Sequence, residues 1–313
     1  MADRVVLCEC FARDGLQHEP DFLPTARKVE AIDRFTALGF PRVEATSYSN
    51  PKVVPQFADA SGVLQAIRRG DGVHYKGTCA NLRAVERAVA DHDAGRGPTE
   101  ISLLVSATES HTQKNLRTDR AGQWQRVGEM VAAAGDRFRL VGTVSVAFGC
   151  PFDGWVDPGS VVEDAARFAD LGVGLVALGD TTGMANPRMV AALFERVQRE
   201  VPQATPIAHF HDTRGAGLAN CVAAFDAGCR HFDSSFGGTG GHPARIQYGG
   251  GYTGNVCTED LVALFEAMGV DTGIDLDGLL ATAGFCERLL GRELRGMVTR
   301  TGLGLLQREQ AHA

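Results

Sequence analysis

Long apolar runs are missing from this chain. No stretch approaches the roughly 20 residues that a helix needs to cross a bilayer, which excludes a helical membrane protein. Basic clusters are missing as well. The net charge is −7 and no group of Lys and Arg stands out, so neither nucleic acid nor an anionic membrane is the expected partner. The cysteines at 8, 10, 79, 150, 221, 229, 257 and 286 include no CxxC pair. That pattern fits reduced thiols in a cytoplasmic protein better than a disulfide framework or a zinc knuckle. Strand-like sequence begins at Val5, so no leader peptide is expected ahead of it. No Pro/Ser-rich linker or low-complexity tract splits the chain, and no Gly-rich dinucleotide fingerprint follows its first strand.

What is present is a chain rich in core-forming residues and turns. Of its 313 residues 44% are hydrophobic, and 38 are glycine. Short β-like runs fall at Val5–Cys10, Arg42–Thr46, Tyr75–Cys79, Glu100–Val105, Leu140–Val146, Leu175–Leu178, Pro206–His211 and His231–Ser235. Amphipathic stretches lie between them: Val29, Ile32, Phe35 and Leu38 recur at helical spacing, as do Leu261, Leu264, Phe265 and Met268. Several such stretches end at glycine, among them Leu38-Gly39 and Met268-Gly269. Eight strand–helix units at intervals of roughly 25 to 40 residues predict a single α/β domain over 1–313, a (β/α)8 TIM barrel. Residues from about 271 to 313 are then extra C-terminal helices packed on the barrel. A doubly wound sheet is the alternative.

The polar residues follow from the barrel. Its active sites lie at the C-terminal ends of the strands. Those ends carry Arg13 and Asp14 after the first strand, Glu44 and Thr46 on the second, and Thr143 and Ser145 on the fifth. Asp180 and Thr181 follow the sixth, His209 and His211 end the seventh, and Ser234 and Ser235 end the eighth. In a strand, side chains alternate faces, so His209 and His211 point one way and Phe210 the other. Two imidazoles on one face can hold one divalent metal, given a carboxylate from elsewhere. The other reading makes them polar residues satisfied by the backbone.

The motif Phe11-Ala12-Arg13-Asp14-Gly15-Leu16-Gln17 resembles the first-strand signature of the DRE-TIM metallolyases. Val43-Glu44-Ala45-Thr46-Ser47, Asn50-Pro51-Lys52-Val53-Val54-Pro55-Gln56 and Gly149-Cys150-Pro151-Phe152-Asp153-Gly154 resemble the 3-hydroxy-3-methylglutaryl-CoA lyases among them. So do Leu178-Gly179-Asp180-Thr181-Thr182-Gly183, His209-Phe210-His211-Asp212-Thr213, Gly254-Asn255 and Thr258-Glu259-Asp260-Leu261-Val262. The resemblance implies a Mg²⁺ or Mn²⁺ site from Asp14, His209, His211 and Asn255, and no organic cofactor. It implies a carbon–carbon lyase that cleaves a 3-hydroxy-3-substituted acyl-CoA by retro-Claisen chemistry. Arg13 would stabilise the enolate, and His209 or Glu44 would act as general base. Asp180 has two readings, a proton relay or a structural group at its strand end. Arg13, Gln17, Thr143, Ser145 and Thr181 are the expected substrate contacts, and a homodimer is expected. Asp212 is read as the cap of the following helix rather than as a partner of one imidazole.

The chain also departs from those lyases. They carry a cysteine before the proline of the Gly-rich loop; here Gly237-Gly238-Thr239-Gly240-Gly241 leads into His242-Pro243. A histidine can exchange a proton near neutral pH, so His242 is read as the acid that protonates the enolate, against a reading as a plain loop residue. The stretch from His242 to Asn255 is a few residues longer than in those lyases, and Pro20 stands where they present a lysine. Two further activities stay open: a condensing acyltransferase or oxo-acid aldolase on the same metal barrel, and a barrel without lyase activity.

Overall fold

The computed structural model describes residues 3–241, 253–304 and 306. Eight strands form the barrel wall: β1 (Val6–Glu9), β2 (Arg42–Ser47), β3 (His74–Cys79), β4 (Glu100–Ser106), β5 (Arg139–Ser145), β6 (Leu175–Asp180), β7 (Thr205–Phe210) and β8 (His231–Ser234). Each pairs in parallel with its sequence neighbours, and β8 closes on β1 through Val6–His231 and Cys8–Asp233. The expected (β/α)8 barrel is therefore the fold, and a doubly wound sheet is ruled out.

Helices cover the outside: α1 (Thr25–Ala37), α2 (Ala60–Ala66), α3 (Leu82–Asp93), α4 (Glu109–Leu116), α5 (Arg120–Ala134), α6 (Pro158–Asp170), α7 (Pro187–Glu200), α8 (Gly217–Asp226), α9 (Thr258–Ala267), α10 (Leu276–Leu290) and α11 (Val298–Thr301). The helical spacing in α1 buries Ala31, Ile32 and Phe35 against the wall. In α9 the buried stripe is Leu261, Val262 and Phe265, while Met268 lies past the helix end and is exposed. Gly39 ends the first helical stretch at φ +94, where a Cβ would lie 2.7 Å from the Gly273 carbonyl oxygen. The extra helix α10 lays Phe285 under the guanidinium groups of Arg27 and Arg34 of α1. Among the described residues no helix is long and apolar enough to cross a membrane.

The apolar core lies mainly between strands and helices, and the barrel interior is different. A small apolar patch of Val141, Ala177 and Ile207 occupies one side. The other side is charged. Arg42 donates two bonds from Nε and one from Nη2 to buried Glu100, which Arg139 also contacts. Lys76, opposite Glu44 in register, is buried with it. Such groups are tolerated inside only when paired, because an isolated buried charge costs several kcal/mol, in round terms, even after relaxation.

Candidate active site

The site is built where the strands end. After β1 the chain tightens into a single π-turn, Phe11–Gly15, which carries Arg13 and Asp14 over the barrel mouth. His209, next to last in β7, and His211, just beyond its end, face the same way, as alternation requires. A short antiparallel bridge between His211 and Asn255 then brings the segment after the Gly-rich stretch back onto the site. Ligand atoms of Asp14, His209 and His211 all lie within 4.8 Å of one another. Oδ2 of Asp14 is 4.0 Å from Nε2 of His209 and 3.7 Å from Nε2 of His211.

Asn255 completes the group. Its Nδ2 donates to Asp14 Oδ2 at 2.6 Å and to the Thr239 carbonyl at 3.0 Å, which leaves Oδ1 buried without a partner. An orphaned amide oxygen beside a carboxylate and two imidazoles is a donor set that fits Mg²⁺ or Mn²⁺. Gly240, at φ +106, completes the cradle: a Cβ there would come within 2.4 Å of Asn255 Nδ2. Cys8, Cys10 and Asp233 also converge, but Asp233 already faces Lys76 and Arg42, and burial pushes the Cys10 thiol up, so a second cation is opposed there.

The electrostatics suit a cation. Burial works to raise the Asp14 carboxyl, but Arg13, His211 and His209 outweigh it and hold it at about 2. Burial lowers His211 to about 4, so its imidazole is neutral and free to ligate at pH 7. Burial also opposes charge on His209, yet Asp233 outweighs it and raises this imidazole. The contact is Nδ1 of His209 to Oδ2 of Asp233, at 3.2 Å. It turns Nε2 toward Asp14, the arrangement by which a carboxylate behind an imidazole fixes its tautomer. Nδ1 of His211 meets the Thr253 hydroxyl, also at 3.2 Å.

Arg13 and Glu44 join the same mouth. Nη1 of Arg13 is 3.1 Å from Asp14 Oδ1 and 3.8 Å from Glu44 Oε2, while its buried Nε has no partner. Glu44 also accepts from the Thr78 hydroxyl at 2.6 Å. Thr143 and Ser145 are half-buried on β5. The Thr181 hydroxyl instead accepts the Val146 N–H at 2.9 Å, holding the φ +53 kink that ends β5. Both Asp180 oxygens accept backbone N–H groups, from Met184 at 2.8 Å and Ala185 at 3.1 Å, and burial raises this carboxyl to about 6. Gln17 approaches His18, whose Nε2–H donates to the Gly241 carbonyl at 2.6 Å. Asp212 caps α8 by accepting the Gly217 N–H at 2.7 Å. His242 lies outside the described residues.

Ser234 does not face the mouth. Its hydroxyl accepts from Thr258 at 2.8 Å, on the outer side of the wall, because its inward-facing neighbour is Asp233. Sequence reasoning passed over Asp233, Lys76 and His18. For Asp233 the signal was available, since it lies two residues before Ser235, a strand-end residue read at the mouth.

Comparison with known proteins agrees with this geometry. A family model described as HMGL-like matches residues 4–285. The mitochondrial hydroxymethylglutaryl-CoA lyase of Rattus norvegicus is 38% identical over 95% of this chain and 89% of its own length. The (R)-citramalyl-CoA lyase of Chloroflexus aurantiacus is 36% identical over 96% of this chain and 95% of its own. Among solved structures, an HMG-CoA lyase from Acinetobacter baumannii in complex with coenzyme A and 3-methylmalate superposes with a TM-score of 0.89. It is 36% identical, over 96% of this chain and 95% of that one.

Proposed function

Because this chain belongs to the HMGL-like family, we propose that it is a divalent-metal-dependent carbon–carbon lyase. It cleaves the C2–C3 bond of an acyl-CoA with a tertiary 3-hydroxyl, giving acetyl-CoA and a keto acid. The observation that carries this reading is the meeting of Asp14, His209 and His211 with the unpartnered Asn255 oxygen, beside Arg13. These four residues would hold Mg²⁺ or Mn²⁺, which supplies Lewis acidity that makes the hydroxyl proton easier to remove. With Nδ1 of His209 on Asp233 and Nε2 turned to the metal group, Glu44 is the residue left to take that proton. Arg13 faces the negative charge that develops on the thioester oxygen, and its unpartnered Nε is a donor available for it. Asp180, with both oxygens committed to backbone, holds the turn carrying Thr181. Gln17, Thr143, Ser145 and Thr181 remain our candidates for substrate contacts.

Protonation of the enolate is assigned to His242. Gly241, the described residue before it, is bonded to His18 at the edge of the site, which supports this assignment. All eight cysteines are free and buried, so a thiol is poorly placed for that step. Activity is therefore expected to survive thiol alkylation and to fall at least tenfold in His242→Ala; full activity in that variant rejects the proton-donor role. A homodimer in the cytoplasm completes the proposal.

Two substrates are in play, since the relatives are named for hydroxymethylglutaryl-CoA and (R)-citramalyl-CoA. Presenting each to the Mg²⁺-loaded protein and identifying the keto acid decides between them: acetoacetate in the first case, pyruvate in the second. A metal-loaded protein that cleaves neither, nor any other branched 3-hydroxyacyl-CoA, rules the reading out.

A further inference from the structure

Lys76 takes no part in the chemistry above, yet it lies buried beneath it. Its Nζ is 3.5 Å from Asp233 Oδ2 and 3.6 Å from Glu44 Oε1, and these two carboxylates are its only partners among the described residues. The two separations are nearly equal, and both exceed the roughly 2.8 Å of a close charge-assisted bond. The ammonium is thus a counter-ion shared by both carboxylates rather than the partner of one. Each carboxylate in turn holds a group of the site. Asp233 receives Nδ1 of His209, and Glu44 faces Nη1 of Arg13. Arg42 is a poor substitute, since three contacts commit it to Glu100 and only Nη1, at 3.5 Å, looks toward Asp233.

We propose that Lys76 is a positioning residue of this active site, joining the carboxylate that orients His209 to the carboxylate that faces Arg13. The inference rests on the metal-site reading given above. Physically, it follows from where the charges stand. Without the ammonium, Asp233 and Glu44 are two buried anions lacking their shared cation, and they relax away from each other. Asp233 then no longer holds the His209 ring with Nε2 toward Asp14. A cation that merely lies near a metal site opposes the metal, so deleting it tightens metal binding. A cation that holds a ligand's orienting partner in place has the opposite effect: deleting it weakens binding.

The sign of the change in Mn²⁺ affinity therefore decides, measured by calorimetry on wild type, Lys76→Gln, Asp233→Asn and the double variant. We expect Lys76→Gln to weaken Mn²⁺ binding about tenfold or more, the scale seen when a partner behind a metal ligand is removed. Lys76→Arg, which keeps the charge, should stay within about threefold of wild type, below the roughly tenfold loss of the neutral variant. Because Lys76 acts through Asp233, the double variant should bind no more weakly than Asp233→Asn alone. Unchanged or tighter binding in Lys76→Gln overturns the inference, and so does a double variant in which the two losses multiply. The double variant removes one charge of each sign, so it decides the question against Asp233→Asn even where Lys76→Gln fails to fold. Failure of the wild type itself to bind Mn²⁺ would instead refute the metal site, and this inference with it.

Discussion

At the scale of single residues, the site depends on atoms that have nowhere else to go. Oδ1 of Asn255 is buried and unpaired, and His211 is held neutral. His211→Ala is expected to reduce Mn²⁺ affinity by at least about a hundredfold while the fold persists, since a ligand matters more than the tenfold to hundredfold of its supporting partners. Titration with Mn²⁺ checks this, and an unaltered dissociation constant would remove His211 from the site. Gly240→Ala is a sharper probe. A methyl group 2.4 Å from Asn255 Nδ2, on a backbone at φ +106, must displace that amide. Metal affinity should fall with it, and retention of full affinity would show that Asn255 is no ligand. Legibility was uneven at this scale. His209 and His211 could be read from strand alternation alone. Asp14 and Asn255 are 241 residues apart, and only the resemblance linked them. Lys76 and Asp233 went unread because charged residues in strands are ordinarily taken as facing water, whereas this barrel turns them inward.

At the scale of elements, the strands were legible to within a residue or two at each end, since short strand-like runs alternate with stretches of helical spacing and turn residues. The ends themselves depended on tertiary contacts. β5 stops at Ser145 because Val146 turns to φ +53, held there by Thr181 from the next unit, and nothing local announces that. The join between β1, β8 and α9 is also non-local. Glu9 accepts the N–H groups of Phe11 and Phe236 at Oε1, its Oε2 pairs with the Thr258 hydroxyl, and burial raises its carboxyl from 4.5 to about 8. The folded chain thus keeps a proton that the unfolded chain releases. This stability is fully present below pH 4.5 and declines as pH rises through 8. Glu9→Gln, which can accept through oxygen and donate to Thr258 through nitrogen, removes that dependence. Denaturant unfolding should find the variant close to wild type at pH 5 and gaining on it steadily toward pH 9. A constant difference between the two would show that Glu9 ionises normally in the fold.

At the scale of the whole molecule, the closed barrel brings Arg13 and Asp14 from the first unit against His209, His211 and Asn255 from the last two. Its interior is polar for the same reason that its mouth can be catalytic: the ion pairs below hold the groups above. Arg42 with Glu100 is the base of that arrangement, and Glu100→Ala leaves the buried Arg42 guanidinium, and the partly exposed one of Arg139, without their carboxylate. Breaking such a pair costs about 3–5 kcal/mol. Chemical denaturation should register that loss, and a change below about 1 kcal/mol would mean that the pair is solvated like one at the surface. The family places lyase chemistry on this barrel, and the chemistry has a signature that an inert barrel does not share. Cleavage of a 3-hydroxyacyl-CoA leaves an enolate whose last proton originates in solvent, delivered through an exchangeable side-chain acid. The most direct measurement is mass spectrometry of the acetyl-CoA formed from hydroxymethylglutaryl-CoA or citramalyl-CoA in D₂O, with Mg²⁺ present and again after EDTA. We predict acetyl-CoA with a single deuteron in its methyl group, formed only with the metal. No acetyl-CoA from either thioester, or its release undiminished by EDTA, would contradict the account.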